Sequence, residues 1–205
     1  MTFAKKALIV GSMALVGAGS AAIAVERLNA AGATFPENIY VRWFSQLAKQ
    51  GVKVNYQAVG SGSGRKAFID ETVSFAASDD PISAKDKAKV SRGVVQIPIV
   101  GGTIALGYNK PGCSLKLTQK QVVSVFMGSI DDWKDLGCAA GKITVVHRSD
   151  GSGTTAAFAD SLVTFSKEWT LGSAKSLNWK VGVGGKGNEG VAGIVETTPG
   201  SIGYM

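Results

Sequence analysis

Two apolar runs in this chain each end on a turn rich in glycine and hydroxyls that opens a helix. In the first, Val52, Val54, Tyr56 and Ala58 alternate toward Gly60-Ser61-Gly62-Ser63-Gly64, and Arg65-Lys66-Ala67-Phe68-Ile69 reads as the start of a helix. In the second, Ile143-Thr144-Val145-Val146 leads into Arg148-Ser149-Asp150-Gly151-Ser152-Gly153-Thr154-Thr155, followed by Ala156-Ala157-Phe158, Leu162-Val163 and Phe165 on one helical face. Each stretch reads as a strand that feeds a helix. The same turns suggest a chemistry. Helix starts leave backbone N–H groups unpaired and favour an anion. Ser152, Thr154 and Thr155 add hydroxyl donors, and Arg148 adds a planar fork of donors. One such turn reads equally well as an ordinary helix cap beside a surface arginine. Two in one chain favour a shared anion site. Neither is a nucleotide loop: the Gly60–Gly64 turn lacks a Gly-Lys-Ser/Thr ending, and its glycines alternate, unlike a G-x-G-x-x-G fingerprint. Nor does Ser61 sit in a G-x-S-x-G nucleophile elbow.

The chain's 205 residues, 45% hydrophobic, suffice for one large domain or two small lobes. Its 27 glycines are about twice ordinary usage and imply many tight turns or close backbone approaches. The N-terminus reads as a secretory signal: Lys5 and Lys6, an apolar stretch from Ala7 to Val16, and the A-x-A pattern Ala22-Ile23-Ala24. The apolar part is short for a span of about 20 residues. Cleavage after Ala24 leaves 20 basic and 15 acidic groups, a modest scattered excess of +5. That suits an anionic ligand or a negatively charged surface and does not resemble a nucleic-acid tail. Export places Cys113 and Cys138, the only cysteines, in an oxidising compartment, where they read as one disulfide or as two buried thiols. With the lone His147 they are too few for a structural zinc site, and neither metal nor cofactor is expected.

Elsewhere, Ile39, Trp43 and Leu47 with Tyr40 and Phe44 predict a helix from Pro36 that ends at Gly51. Val73–Ala77 reads as a strand ending at Ser78-Asp79-Asp80-Pro81, an acidic pair that is an ordinary turn or part of the pocket. An aspartate in an anion pocket repels a bare anion but accepts a hydrogen bond from a protonated one. Phosphate near neutral pH still carries a proton and sulfate does not, so Asp79 in the pocket selects phosphate. Residues 84–92 read as a surface helix. Val94–Val100 and Thr103–Tyr108 read as apolar strands or crossing segments, with Pro98 arguing for a strand end or hinge. Thr118 caps a helix carrying Val122, Val125 and Phe126, and Trp133 reads as buried in a turn. The helix after Thr155 reaches Glu168, Val181–Gly187 is a glycine-rich loop, Glu189–Val195 a helix, and Ser201–Met205 the beginning of a strand. A chain that stops on an opening strand reads as cut short.

Seven segments in order carry a family resemblance: Ala31-Gly32-Ala33-Thr34-Phe35-Pro36, Val54 to Gly64, Ala77-Ser78-Asp79-Asp80-Pro81, Gln96-Ile97-Pro98, His147 to Thr154, Gly184 to Gly190, and Pro199 to Tyr204. Together they resemble the periplasmic phosphate-binding proteins of phosphate ABC importers, and look nearest to the cyanobacterial-type members. The resemblance implies a two-lobed α/β periplasmic-binding-protein-like fold of type II, with phosphate in the interlobe cleft. It divides the chain into a signal peptide (1–24), the first part of lobe I with the hinge approach (25–98), and lobe II (99–205), incomplete at its C-terminal end because family members run well past Met205. Carried over by position, the phosphate contacts fall on Thr34, Phe35 through its N–H, Ser61, Asp79, Arg148, Ser152, Gly153 and Thr154, with Asp150 steadying Arg148. Ser74 departs from the pattern, where many members carry Asp, and looks like a scaffold position. The implied function is non-catalytic: a monomeric periplasmic protein binds inorganic phosphate and delivers it to the membrane permease of an ABC importer.

Two other readings compete. One is a family-derived fragment or phosphate-scavenging protein that does not transport. The other is a secreted phosphatase or serine hydrolase using Ser61 or Ser152, with His147 as the only candidate base. His147 adjoins Arg148 on a strand and therefore points to the opposite face, which argues against the enzyme.

Overall fold

A computed structural model describes residues 26–205; the expected signal peptide lies outside the described residues. The chain forms two sheets in succession. The first is built from β1 (Glu26–Gly32), β2 (Val52–Ala58) and β3 (Phe75–Ala77) in the order β2-β1-β3, with both pairings parallel. Parallel neighbours need crossovers, and α1 (Glu37–Lys49) and α2 (Ser61–Ile69) supply them. The second contains β4 (Leu106–Tyr108), β5 (Thr144–Arg148), β6 (Val183–Gly185) and β7 (Ser201–Tyr204) in the order β4-β7-β5-β6. Only β4 runs antiparallel, against β7. Its helices are α4 (Gln119–Met127), α5 (Gly153–Phe165) and α6 (Gly187–Thr197); the short α3 (Ala84–Lys87) lies between the two sheets in sequence.

The second sheet carries the larger core. Val123, Val125 and Phe126 of α4, Phe158 and Leu162 of α5, Val145, Ile202 and Tyr204 are buried together with Trp133. The Trp133 indole N–H, which burial would otherwise strand, donates to the Gly200 carbonyl at 2.9 Å. The predicted Thr118 cap is present as a reciprocal box with Gln121. Cys113 and Cys138 are joined in a disulfide, with Cα atoms 5.4 Å apart. The first sheet packs an aromatic group, Tyr40, Phe44, Tyr56 and Phe75, under α1.

Several sequence expectations shift, among them the loop read over Val181–Gly187, which holds β6. The helix placed after Gly64 starts at Ser61, so Gly62 and Gly64 lie inside α2. Their lack of a side chain serves packing: a Cβ on Gly64 would stand 2.8 Å from the Ala31 carbonyl oxygen, and one on Gly62 3.1 Å from Gly151. The helix expected to reach Glu168 ends at Phe165. The surface helix expected over residues 84–92 is a single turn, α3. Of the two readings of Val94–Val100, strand end or crossing segment, the strand is not formed. The run has no pairing partner among the described residues, Pro98 lacks an N–H, and Val95, Ile97 and Ile99 are 85%, 65% and 57% exposed.

Candidate functional site

Helix starts from both sheets meet at one place. Gly60 precedes α2 with a φ of 87°, a conformation that suits glycine. Its neighbour Gly62 donates its N–H to the Gly151 carbonyl at 2.7 Å, which ties the start of α2 to the loop before α5. Ser152 caps α5, its Oγ accepting from the Thr155 N–H at 3.0 Å. This is the ordinary cap that the sequence left open as an alternative. The role does not use up the group, because the hydroxyl hydrogen remains a donor.

Ser61, Asp79, Gly153 and Thr154 form one group. Ser61 Oγ accepts from the Asp79 N–H at 3.4 Å. Thr154 Oγ1 donates to Asp79 Oδ2 at 3.0 Å. Gly153 packs so closely on them that a Cβ there would lie 2.6 Å from Asp79 Cβ and 2.7 Å from Ser61 Oγ. Arg148, Asp150 and Thr34 form a second group. Arg148 is 4% exposed at the end of β5. Its Nε and Nη2 donate to the two oxygens of Asp150 at 2.7 and 2.5 Å, and its Nη1 donates to Asn188 Oδ1 at 2.9 Å. The Asn188 N–H in turn donates to Thr34 Oγ1 at 3.2 Å, from the second sheet to the first. Phe35 stands at the edge, its ring against Gly102 and 39% exposed.

The two carboxyls are tuned in opposite directions. Burial pushes Asp79 up, more than the Thr154 hydrogen bond and the Arg148 charge pull it down. Burial also raises Asp150, but the Arg148 and Gly187 hydrogen bonds outweigh it, and its carboxyl lies below the usual range. Asp150 is thus held as a counter-charge, whereas burial disfavours the charged form of Asp79. The site offers hydroxyl donors, helix-start N–H groups, one cation and one proton acceptor. That combination fits a protonated oxyanion.

His147 lies on the other face of β5. Its imidazole stacks on Trp179 with ring centroids 4.9 Å apart, and burial lowers its pKa. It is not within reach as a base for Ser61 or Ser152 in any hydrogen bond of the described residues. No cluster of three or more potential metal ligands occurs among the described residues. A cavity of about 720 Å³ receives Asp79 and Thr154 in its wall, but most of its lining is apolar, including Phe68, Val95 and Ile97. It is not where an oxyanion would be solvated.

Asn188 was missed in the sequence. It follows Gly187, which starts α6 with a φ of 71° after the glycine-rich β6. That is a third strand–glycine–helix junction, and the repeat of the pattern was the available signal.

A sequence profile of the PBP superfamily domain matches residues 17–205. The chain belongs to the PBP superfamily. Its two α/β units have the type-II arrangement of that superfamily's fold. Among similar proteins, this PBP-superfamily chain is 43% identical over 196 residues to the phosphate-binding protein PstS of Pasteurella multocida, covering 88% of this chain and 56% of that protein. It is 43% identical over 194 residues to PstS of Haemophilus influenzae, covering 87% and 57%. It also resembles the solved structure of PfluDING, a high-affinity periplasmic phosphate-binding protein bound with phosphate, with a TM-score of 0.75 and 27% identity over 87% of this chain and 56% of that one. The chain therefore spans little more than half the length of the curated relatives it matches.

Proposed function

We propose that this chain binds inorganic phosphate between its two α/β units and delivers it to the permease of a membrane ABC importer. The observation that carries the reading is Asp79, a buried carboxyl with a raised pKa set against the hydroxyls of Thr154 from the second sheet's helix and Ser61 from the first's. In this reading Thr34, Ser61, Ser152 and Thr154 donate hydroxyls, and Phe35 and Gly153 donate backbone N–H groups. Arg148, steadied by Asp150 and Asn188, neutralises the anion, and Asp79 accepts a hydrogen bond from the anion's proton. The reading is of a protein that acts by binding, in line with the phosphate-binding relatives. The names of the PstS relatives and the phosphate-bound PfluDING structure support the ligand. Export after a signal peptide at 1–24, a periplasmic location, a monomeric state, and lobes at 25–98 and 99–205 complete the proposal.

Calorimetry with phosphate and sulfate tests it. Phosphate binds with a clear preference, because sulfate leaves Asp79 facing an unprotonated anion, a mismatch worth about 1–3 kcal/mol or more. Equal affinities for the two anions would remove the basis for the assignment of Asp79.

A further inference from the structure

Asp80, next to Asp79, takes no part in the groups described above. Its Oδ2 accepts from Arg65 Nη2 at 2.6 Å, and its Oδ1 from Ser78 Oγ at 2.8 Å. The same Oδ2 is also paired with Lys175 Nζ. Arg65 and Ser78 belong with the first sheet, while Lys175 stands in the loop between α5 and β6 of the second. The Lys175–Asp80 pair therefore crosses between the units, and its side chains are only 19% and 26% exposed. The lysine is anchored as well as charged. Its carbonyl accepts from the N–H of Ser152, the cap of α5, at 2.9 Å. The neighbouring Gly151 carbonyl accepts from Gly62 across the same seam. A second pair of charges between the units works the other way: Glu37 of α1 is raised by burial and by the like charge of Glu189 in α6.

Ser61 and Asp79 come from one unit, and Ser152, Gly153 and Thr154 from the other. Only the closed arrangement gives a ligand all of them. Apparent affinity then scales with the fraction of chains that are closed. We propose that Lys175 and Asp80 form an ionic clasp between the two units, and that Lys175 is thereby a positioning residue that sets how tightly the chain holds phosphate. The proposal rests on the phosphate reading for its ligand, but not for the clasp itself.

The test uses the full chain, with inorganic phosphate as the probe and Lys175→Gln, Lys175→Arg, Asp80→Asn and the Lys175→Gln/Asp80→Asn double variant. Lys175→Gln weakens phosphate by about fivefold, the scale of a partly exposed ion pair. Lys175→Arg restores most of the loss, and the double variant binds no worse than the weaker single variant. Added salt weakens the wild type more than Lys175→Gln. Hydrogen exchange at the Gly62 amide, measured without ligand, is faster in Lys175→Gln. Unchanged affinity and unchanged Gly62 exchange, or losses that add in the double variant, overturn the clasp. A wild-type chain that binds no phosphate overturns the functional reading instead, and the ligand-free Gly62 exchange then decides the clasp alone.

Discussion

Thr154 Oγ1 donates to Asp79 Oδ2 at 3.0 Å, from the first turn of α5 to the end of β3 on the other sheet. The carboxyl it holds is buried, and burial raises its pKa. A group raised by folding favours the native state while protonated, and that contribution is lost as pH rises through its folded value. Asp79 therefore opposes stability near neutral pH. Asp79→Asn is expected to raise the melting temperature near pH 7, with an advantage that shrinks as the pH is lowered. Thermal unfolding across that range checks it, and a variant that melts below the wild type near neutrality contradicts it.

Asp150 carries the opposite sign. Its carboxyl is held low by the Arg148 and Gly187 hydrogen bonds against the effect of burial. Its contribution is present above the ordinary aspartate value, about 3.9, and is lost as pH falls through the lower folded value. Asp150→Asn should reduce the loss of stability on the acid side. Near neutral pH it leaves the buried Arg148 without its counter-charge, at about 3–5 kcal/mol. Urea unfolding at a series of pH values separates the two effects.

The junctions of strand and helix were legible because glycine and serine mark turns wherever they occur, and periodicity then tells strand from helix. Ser61, Arg148, Ser152 and Thr154 stand on those junctions and Asp79 on the turn after β3, and the structure gathers them where the two units meet. The start of α2 was not legible. Gly62 and Gly64 read as turn residues, and only the approach of Ala31 and Gly151 explains glycines inside a helix. Val94–Val100 left two readings open, strand end or crossing segment, because apolarity marks a strand only when another strand is there to pair with it. Lys175 had no signal at all, because a loop lysine looks the same in sequence whether or not a partner lies opposite.

Gly153→Ala isolates the site from the fold. The added Cβ would meet Asp79 and Ser61 at 2.6 and 2.7 Å, far inside ordinary contact. Relief requires the units to separate there. Phosphate affinity is expected to fall by about a hundredfold or more, the loss of one or two charged hydrogen bonds. The α5 helix itself keeps its cap at Ser152. Circular dichroism should be unchanged while calorimetry shows the loss.

Reduction of the Cys113–Cys138 disulfide tests the second unit alone. The two cysteines are 25 residues apart in sequence, and closing a loop of that size stabilises by about 3 kcal/mol in the chain-entropy account. Both pack against the core around Trp133, away from Asp79 and Arg148. A Cys113→Ala/Cys138→Ala variant is expected to unfold at lower denaturant and to bind phosphate with unchanged affinity.

The stack of His147 on Trp179 makes the chain its own optical instrument. An indole lies against the residue adjoining Arg148, on the strand face turned away from the anion site. In the proposed function, an anion seated against the guanidinium would pull on the same peptide that carries the imidazole. Under the phosphate reading, a phosphate titration is expected to change indole emission, and intrinsic fluorescence checks it with no dye attached and no cysteine added.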